Sequence, residues 1–260
     1  MSNTHSVQPK IVSRAEWLVA RKKLMAEEKE LTRQQDAVSA RRRELPWVKV
    51  DQEYVFDSPG GKKTLAQLFD GRSQLAVYHF MFGPDWKEGC PSCSMAADHF
   101  NGSFLHLAQR DVTLLAVSRA SVAQIEAFKK RMGWNFEWVS SQGNAFNRDY
   151  HVSFTKDELT RPDIYNFETS GFPSDEAPGL SVFYKDEKGA IFHTYSCYAR
   201  GLDPLLTVYT FLDRVPKGRD EGGLPHGMAW VRHHDRYSQS YFAEAMGAHA
   251  ASKDSGSSCH

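Results

Sequence analysis

Hydrophobic positions in the first part of the chain recur every seven residues: Trp17, Leu24, Leu31, Val38 and Leu45 form one seam, with Glu27, Glu28, Glu30, Arg33, Arg41, Arg42 and Arg43 on the other faces. Ser13-Arg-Ala-Glu16 has capping-box form, and neither Gly nor Pro intervenes before Pro46, so the pattern predicts a helix of about thirty residues. The intervening positions Arg21, Glu28, Gln35 and Arg42 are polar, which makes one apolar seam and not the paired seams of a full coiled coil. Such a helix is expected to lie along its own domain or a partner subunit. The run Arg41-Arg42-Arg43 reads as a solvated face, not a DNA-binding surface.

Beyond Pro46, the alternation in Trp47-Val-Lys-Val-Asp-Gln-Glu-Tyr-Val-Phe56 predicts a half-buried strand, and Asp57-Ser-Pro-Gly-Gly61 is turn chemistry. A short helix is expected from Thr64 to Phe69, ending at Asp70-Gly71. The continuous apolar run Gln74-Leu-Ala-Val-Tyr-His-Phe-Met-Phe82 suits a strand buried on both faces. A helix is expected from Ser94 to about Arg110, a second buried strand over Asp111–Val117, a helix from its Ser121 cap to Met132 with Gly133 as its stop, and a third short strand over Phe136–Val139. Strands alternating with helical crossovers imply parallel pairing in a layered α/β sheet.

Residues 140–176 lose this regularity and read as an insertion or extended loop with one short strand near Tyr150–Phe154. Leu180–Tyr184 and Ala190–Tyr195, joined by Lys185-Asp-Glu-Lys-Gly189, form a hairpin signal immediately after Ala177-Pro178-Gly179. Asp203 is the expected cap of a closing helix, Pro204 to Leu212. The chain therefore divides into an N-terminal helical extension (1–45), a central domain (46–214) carrying the insertion, and a C-terminal extension (215–260). Met228 to Tyr241 is expected to dock, and 247–260 to form a disordered tail.

Composition narrows the function classes. The 260 residues carry 32 Lys plus Arg against 32 Asp plus Glu, so no basic face argues for nucleic acid. Residues Met1 to Lys10 lack the apolar core of a signal peptide, and no run approaches the roughly 18 apolar residues of a membrane span. A cytoplasmic protein is expected, without membrane partner. Four cysteines in a chain of this length do not make a disulfide framework, which turns attention to the close pair Cys90 and Cys93. Cys197 and Cys259 are unpaired by pattern.

Gly89-Cys90-Pro91-Ser92-Cys93-Ser94 sits where the buried strand gives way to a helix. A thiol at a helix start lies among unpaired N–H groups and at the positive end of the dipole, which favours thiolate. Pro91 suits the first helical position, where its missing N–H has no partner to lose. Cys90 would be the exposed attacking sulfur and Cys93, a turn further in, the resolving one. Two other readings stay open: half of a zinc site, completed from His79, His99, Cys197 or His233-His234, and an inert buried pair. No resident cofactor is implied. Trp86, in the loop before the motif, either lies over the sulfurs or packs beneath its own loop.

The order strand, Cys-x-x-Cys helix, strand, helix, proline, antiparallel hairpin, final helix resembles the thioredoxin fold. That resemblance implies a cis-proline opening the hairpin beside the cysteines, a part that Pro178 matches. It also places His79 near the position of a buried proton-shuttling carboxylate, although a satisfied core histidine fits the same place. More closely, the chain resembles a thioredoxin-like family known only as a domain of unknown function, through Glu16-Trp17-Leu18, Leu45-Pro46-Trp47-Val48, Tyr78-His79-Phe80-Met81-Phe82, Cys90-Pro91-Ser92-Cys93-Ser94, Arg131-Met132-Gly133-Trp134 and His193-Thr194-Tyr195-Ser196. The expected activity is thiol-disulfide exchange with a protein or small-molecule disulfide and a reducing partner, with a homodimer formed through the N-terminal helix. The alternative is a non-catalytic binding or redox-sensing protein. Departures are plain: Pro-Ser stands between the cysteines where thioredoxins have Gly-Pro, and Gly83 and Lys87 occupy the places of the peroxiredoxin Pro and Thr, which counts against a peroxiredoxin mechanism.

Overall fold

The computed structural model describes residues 9–237. Helix α1 (Arg14–Arg43) begins at Ser13, whose Oγ accepts the Glu16 N–H while the Glu16 carboxylate accepts the Ser13 N–H at 3.0 Å. None of its residues is buried. It meets the sheet near its C-terminal end, where Val38, Ser39 and Ala40 are half-buried and Arg42 lies over the Tyr195 ring at 5.8 Å.

The single strand expected over 47–56 is two strands, β1 (Val48–Lys49) and β2 (Val55–Ser58), placed toward opposite edges of the sheet. Three consecutive polar residues, Asp51, Gln52 and Glu53, cannot sustain a half-buried alternation, and here the chain crosses from one edge to the other. β2 turns through Pro59-Gly60 into β3 (Gly61–Thr64), and the short helix expected at 64–69 is a 3-10 turn over Gln67–Phe69, closed by Asp70 at φ 50°.

The central unit follows: β4 (Gln74–His79), α2 (Pro91–Phe100), α3 (Ser103–Ala108), β5 (Val112–Ser118), α4 (Val122–Arg131), β6 (Glu137–Ser140), α5 (Phe146–Asp149), β7 (Gly179–Lys185), β8 (Ile191–Tyr198) and α6 (Thr207–Leu212). The helix expected from Ser94 to Arg110 is broken at Asn101-Gly102, where Gly resists helix and the Asn101 carboxamide accepts the Asn135 N–H at 2.7 Å. Tyr150–Phe154 contributes only a bridge, Ser153 to Glu176, in place of a strand. Asp203 does not cap the closing helix: its carboxylate is held by Arg200 at 3.0 Å and Arg219 at 3.2 Å, and α6 starts only after Leu206.

The eight strands run in the order β1-β8-β7-β4-β5-β6-β2-β3. β4, β5 and β6 are parallel; β7 pairs antiparallel with β4, and β8 with β7. This is a thioredoxin-like α/β fold, with the cysteine helix following the central strand. On one face α2, α4 and α6 pack over Tyr78, Phe80, Ala116 and Trp138. The other face, with Leu75, Val77, Leu115 and Val117, is covered by the 54–69 segment and α5. Val152, Phe154, Ile164 and Tyr165 of the insertion form a small separate core with Ala177 and with Tyr198 of β8. The C-terminal extension docks through Val231 and His233, both buried. Its expected tail, with Cys259, lies outside the described residues.

Candidate active site

β4 ends at His79, and the chain returns through the loop 83–89 so that the Cys90 N–H donates to Met81 O at 3.0 Å. Cys90 is the N-cap of α2 with Pro91 behind it, and its carbonyl accepts both the N–H and the hydroxyl of Ser94, each at 2.9 Å. The residue is half-buried, where an exposed sulfur was expected. A hydrogen bond from the Cys93 thiol, then N–H groups of Cys93 and Ser92, overcome the opposing effect of burial and bring the Cys90 thiol down to about 7. Cys93, 1% exposed, is pushed well up by burial first and then by its bond to Cys90 and the charge there. The Tyr78 hydroxyl and the Met81 N–H bond the Cys93 sulfur from the strand side. One thiol is thus poised to ionise near neutral pH while its neighbour holds the proton.

Close packing fixes the loop that delivers Cys90. A Cβ placed on Gly89 would lie 2.6 Å from Phe80 Cε1 and 2.8 Å from Phe128 Cε1, so only glycine fits between these rings. The Gln124 carboxamide donates to Pro84 O and Trp86 O, both at 3.1 Å, tying the loop to α4. Trp86 folds back on Gly83, whose added Cβ would meet its Nε1 at 2.8 Å, so the ring packs within its own loop. The C-terminal extension supplies a further clamp. Arg131 donates to His233 Nδ1 at 2.8 Å, which leaves the ring proton on Nε2 to donate to Gly89 O, also at 2.8 Å. Arg131 also grips Glu88 at 2.8 Å and Asp235 at 2.8 and 3.1 Å, and Arg236 pairs with Glu88.

Two residues carried over from the resemblance take different parts. Pro178 precedes β7 as expected, yet there is no cis peptide bond among the described residues. The insertion holds this approach in an extended path: Ala177 N–H bonds Val152 O at 2.9 Å, and Tyr165 Oη donates to Pro178 O at 2.5 Å while accepting the Ala199 N–H at 2.8 Å. Tyr165, 2% exposed, is kept protonated by burial and, to a lesser degree, by Cys93, which brings the insertion to the sulfur site. His79 lies on the wrong side. Because side chains alternate along β4, Tyr78 faces the cysteine helix and His79 the opposite core, bonded to Ser181 Oγ at 2.8 Å and stacked on Tyr150 at 5.9 Å. It is a core histidine with Nδ1 unpartnered among the described residues.

Burial, and then His193, bring His79 down from 6.5 to about 3. The unfolded chain therefore binds this proton at higher pH than the folded one. The stabilising contribution is complete above about 6.5 and is lost as pH falls toward 3, at up to about 1.4 kcal/mol per pH unit. Thermal unfolding between pH 7 and 4.5 is expected to show that slope, reduced in His79→Gln, which keeps a partner for Ser181. Equal slopes in both proteins would assign the acid sensitivity elsewhere, for example to His193 and His233, which burial also holds low.

Among the described residues no group of three or more His, Cys, Asp or Glu could hold a metal ion. Of the histidines considered for a zinc site, His79 is bonded to Ser181 on the far side of the sheet, both ring nitrogens of His233 are bonded and His234 is bonded to Asp98 at 2.8 Å, while His99 keeps a buried Nδ1 without a partner among the described residues. No helix among the described residues is long and apolar enough to cross a membrane. Cys197 is buried, with its thiol raised first by burial. Sequence reasoning assigned no part in the site to Tyr78, Tyr165 or Arg131 and missed the part played by His233; Tyr78 and Arg131 stand in stretches that carry the family resemblance, but nothing local shows what they touch.

The profile of a family described as "Bacterial protein of unknown function (DUF899)" matches residues 6–237. No curated protein matches the sequence. Solved structures similar to the chain include Xanthomonas campestris peroxiredoxin Q, at 18% identity and TM-score 0.43, covering 64% of this chain and 96% of that one. Others are the peroxidoxin BcpB from Mycobacterium tuberculosis, at 12% identity and TM-score 0.42 over 63% and 94%, and a mutant of Xylella fastidiosa PrxQ, at 17% and 0.39 over 61% and 88%.

Proposed function

The chain belongs to the DUF899 family of bacterial proteins, and from that premise we propose that it is a thiol-disulfide oxidoreductase in which Cys90 attacks and Cys93 resolves. The observation that carries this reading is the placement of Cys90 as the N-cap of α2, hydrogen-bonded to a buried Cys93 one turn on, an arrangement that lowers the first thiol and raises the second. Cys90 thiolate attacks one sulfur of a substrate disulfide; the S–S bond breaks, the other sulfur leaves as thiolate and takes a proton from solvent, and a mixed disulfide forms. Cys93 then loses its proton and attacks Cys90 sulfur, releasing the second substrate thiolate and closing a Cys90–Cys93 disulfide. The substrate gains two electrons and the protein loses two, which a reducing dithiol partner must return.

The arrangement supplies its own timing. While Cys90 is an anion, its charge and hydrogen bond hold the proton on Cys93. Once Cys90 is in the mixed disulfide that charge is gone, and the Tyr78 hydroxyl and Met81 N–H remain to favour thiolate at Cys93. A protein or small-molecule disulfide is the proposed substrate, and a reducing compartment such as the cytoplasm would keep the dithiol ready to attack. The Gly83 and Lys87 positions supply no hydroxyl to a peroxide at the places where peroxiredoxins carry Pro and Thr, so disulfide is preferred to peroxide as oxidant.

The test is reduction of insulin by dithiothreitol with and without the purified protein, followed by turbidity. Alongside it, the protein is equilibrated in glutathione buffers and the Cys90–Cys93 disulfide read by mass. The expected result is acceleration over dithiothreitol alone and an internal disulfide that forms and reverses with the buffer. No acceleration, with no such disulfide at any glutathione ratio, would replace the enzyme by a non-catalytic binding protein.

A further inference from the structure

Helix α1 is some 45 Å long at about 1.5 Å per residue, and none of its residues is buried. Val19, 74% exposed, stands on the opposite face, but the other exposed large apolar side chains of the helix share one side. Trp17, Leu18, Leu24, Met25 and Leu31 are 41–55% exposed, and at about 100° per residue they fall within one arc of roughly 140°. Arg21 and Glu28 lie in the middle of that arc and pair with each other at 2.8 Å through Arg21 Nη2, while Arg21 Nη1 has no hydrogen-bond partner among the described residues. An apolar face of this extent, bisected by one ion pair, is unusual for a surface that meets only water.

We propose that this face is the dimer interface of the protein, formed by α1 packing antiparallel on α1 of a second copy with the twofold axis between Leu24 and Met25. The charges select that register. About this axis Arg21 of one copy meets Glu28 of the other, Lys22 meets Glu27, and Glu16 meets Arg33, while Leu18 packs on Leu31 and Leu24 on Met25. The centre of the exposed apolar arc coincides with the direction in which the axis must lie. Moving the partner by one heptad places Arg21 on Arg21 in one direction and Glu28 on Glu28 in the other. A parallel, in-register pair sets both like charges against each other. The axis also falls in the part of α1 remote from Val38, Ser39 and Ala40, where the helix meets its own sheet, so the two central domains do not compete for the same stretch. The intrahelical Arg21–Glu28 bond becomes one side of a closed ring of four alternating charges, flanked by apolar layers.

The test uses the full-length protein and its mass in solution by light scattering at about 50 µM. Wild type is expected to run as a dimer of the 29.5 kDa chain. Arg21→Glu alone and Glu28→Arg alone are each expected to weaken the dimer at least tenfold, because each places like charges across the axis. Mixed in equal amounts, the two variants are expected to recover a heterodimer. In it the glutamate introduced at position 21 of one chain faces the arginine introduced at position 28 of the other, although neither helix regains its internal pair. That recovery separates a contact between copies from a merely intrahelical role. Met25→Cys is expected to cross-link two chains on oxidation, and Trp17→Cys is not. A monomeric wild type overturns the proposal, as does a mixture of the two variants that stays monomeric. A chain that dimerises only after residues 238–260 are removed overturns it as well, since its own C-terminal segment would then be the occupant of the face.

Discussion

Replacing Cys90 by serine is expected to reduce insulin turnover to the rate of the dithiothreitol control, because no other thiol among the described residues is both accessible and lowered toward neutral pH. Cys93 is 1% exposed and Cys197 9%, and burial raises both. Cys93→Ser is expected to behave differently: the first attack survives and the second does not, so the protein accumulates as a mixed disulfide visible by mass while turnover also stops. The same pair of positions gives a pH signature. Alkylation of Cys90 by iodoacetamide is expected to follow thiolate formation with a midpoint near 7. The largest cause of that low value is the hydrogen bond from Cys93, so Cys93→Ala moves the midpoint up toward the ordinary value of 9.0. If Cys93→Ala leaves the midpoint in place, the helix start alone activates Cys90. If Cys90→Ser retains turnover, Cys90 is not the attacking sulfur.

The largest stability effect is expected at Phe80, which is 1% exposed and packs its ring 4.4 Å from Trp138. Phe80→Ala removes a buried aromatic side chain from a cluster that includes Phe128 and Trp134, at a cost of about 3–5 kcal/mol. For a protein of this size that corresponds to a fall of roughly 6–20 °C in Tm. The position also couples fold to site. The Phe80 ring is one of the two that leave room only for glycine at position 89, so its loss opens a void directly beneath the residue that presents Cys90. Faster Cys90 alkylation at fixed pH is therefore expected alongside the lower Tm. A fall below about 3 °C would mean that the aromatic cluster relaxes into the space, as cores sometimes do.

Local chemistry was legible where the determinant lay within a few residues. The Ser13 and Ser121 caps, each with its reciprocal Glu16 or Gln124, begin their helices as the residues prescribe, and Gly133 ends α4 at φ 64°. The Cys-x-x-Cys could be placed at a helix start because Pro91 can stand in the first turn and not later. Misplaced boundaries had equally local causes that pattern did not weigh: polar Asp51-Gln52-Glu53 splits one strand into two, and Gly102 divides one helix into two.

The sequence by itself determined the order of elements, the parallel core, the hairpin and the place of the cysteine pair at a helix start, because periodicity, caps and a two-residue spacing are properties of contiguous chain. Only the tertiary structure decided which side of β4 faces the sulfurs. A strand apolar on both faces carries no parity signal, so nothing local distinguishes Tyr78, which bonds Cys93, from His79, which looks the other way. The same holds for His233 and Arg131, which clamp the motif loop from 144 and 43 residues away along the chain to their partners Gly89 and Glu88. It holds too for Tyr165, delivered by an irregular insertion. Hydrogen bonds across such separations are made by packing, and packing is a property of the folded chain.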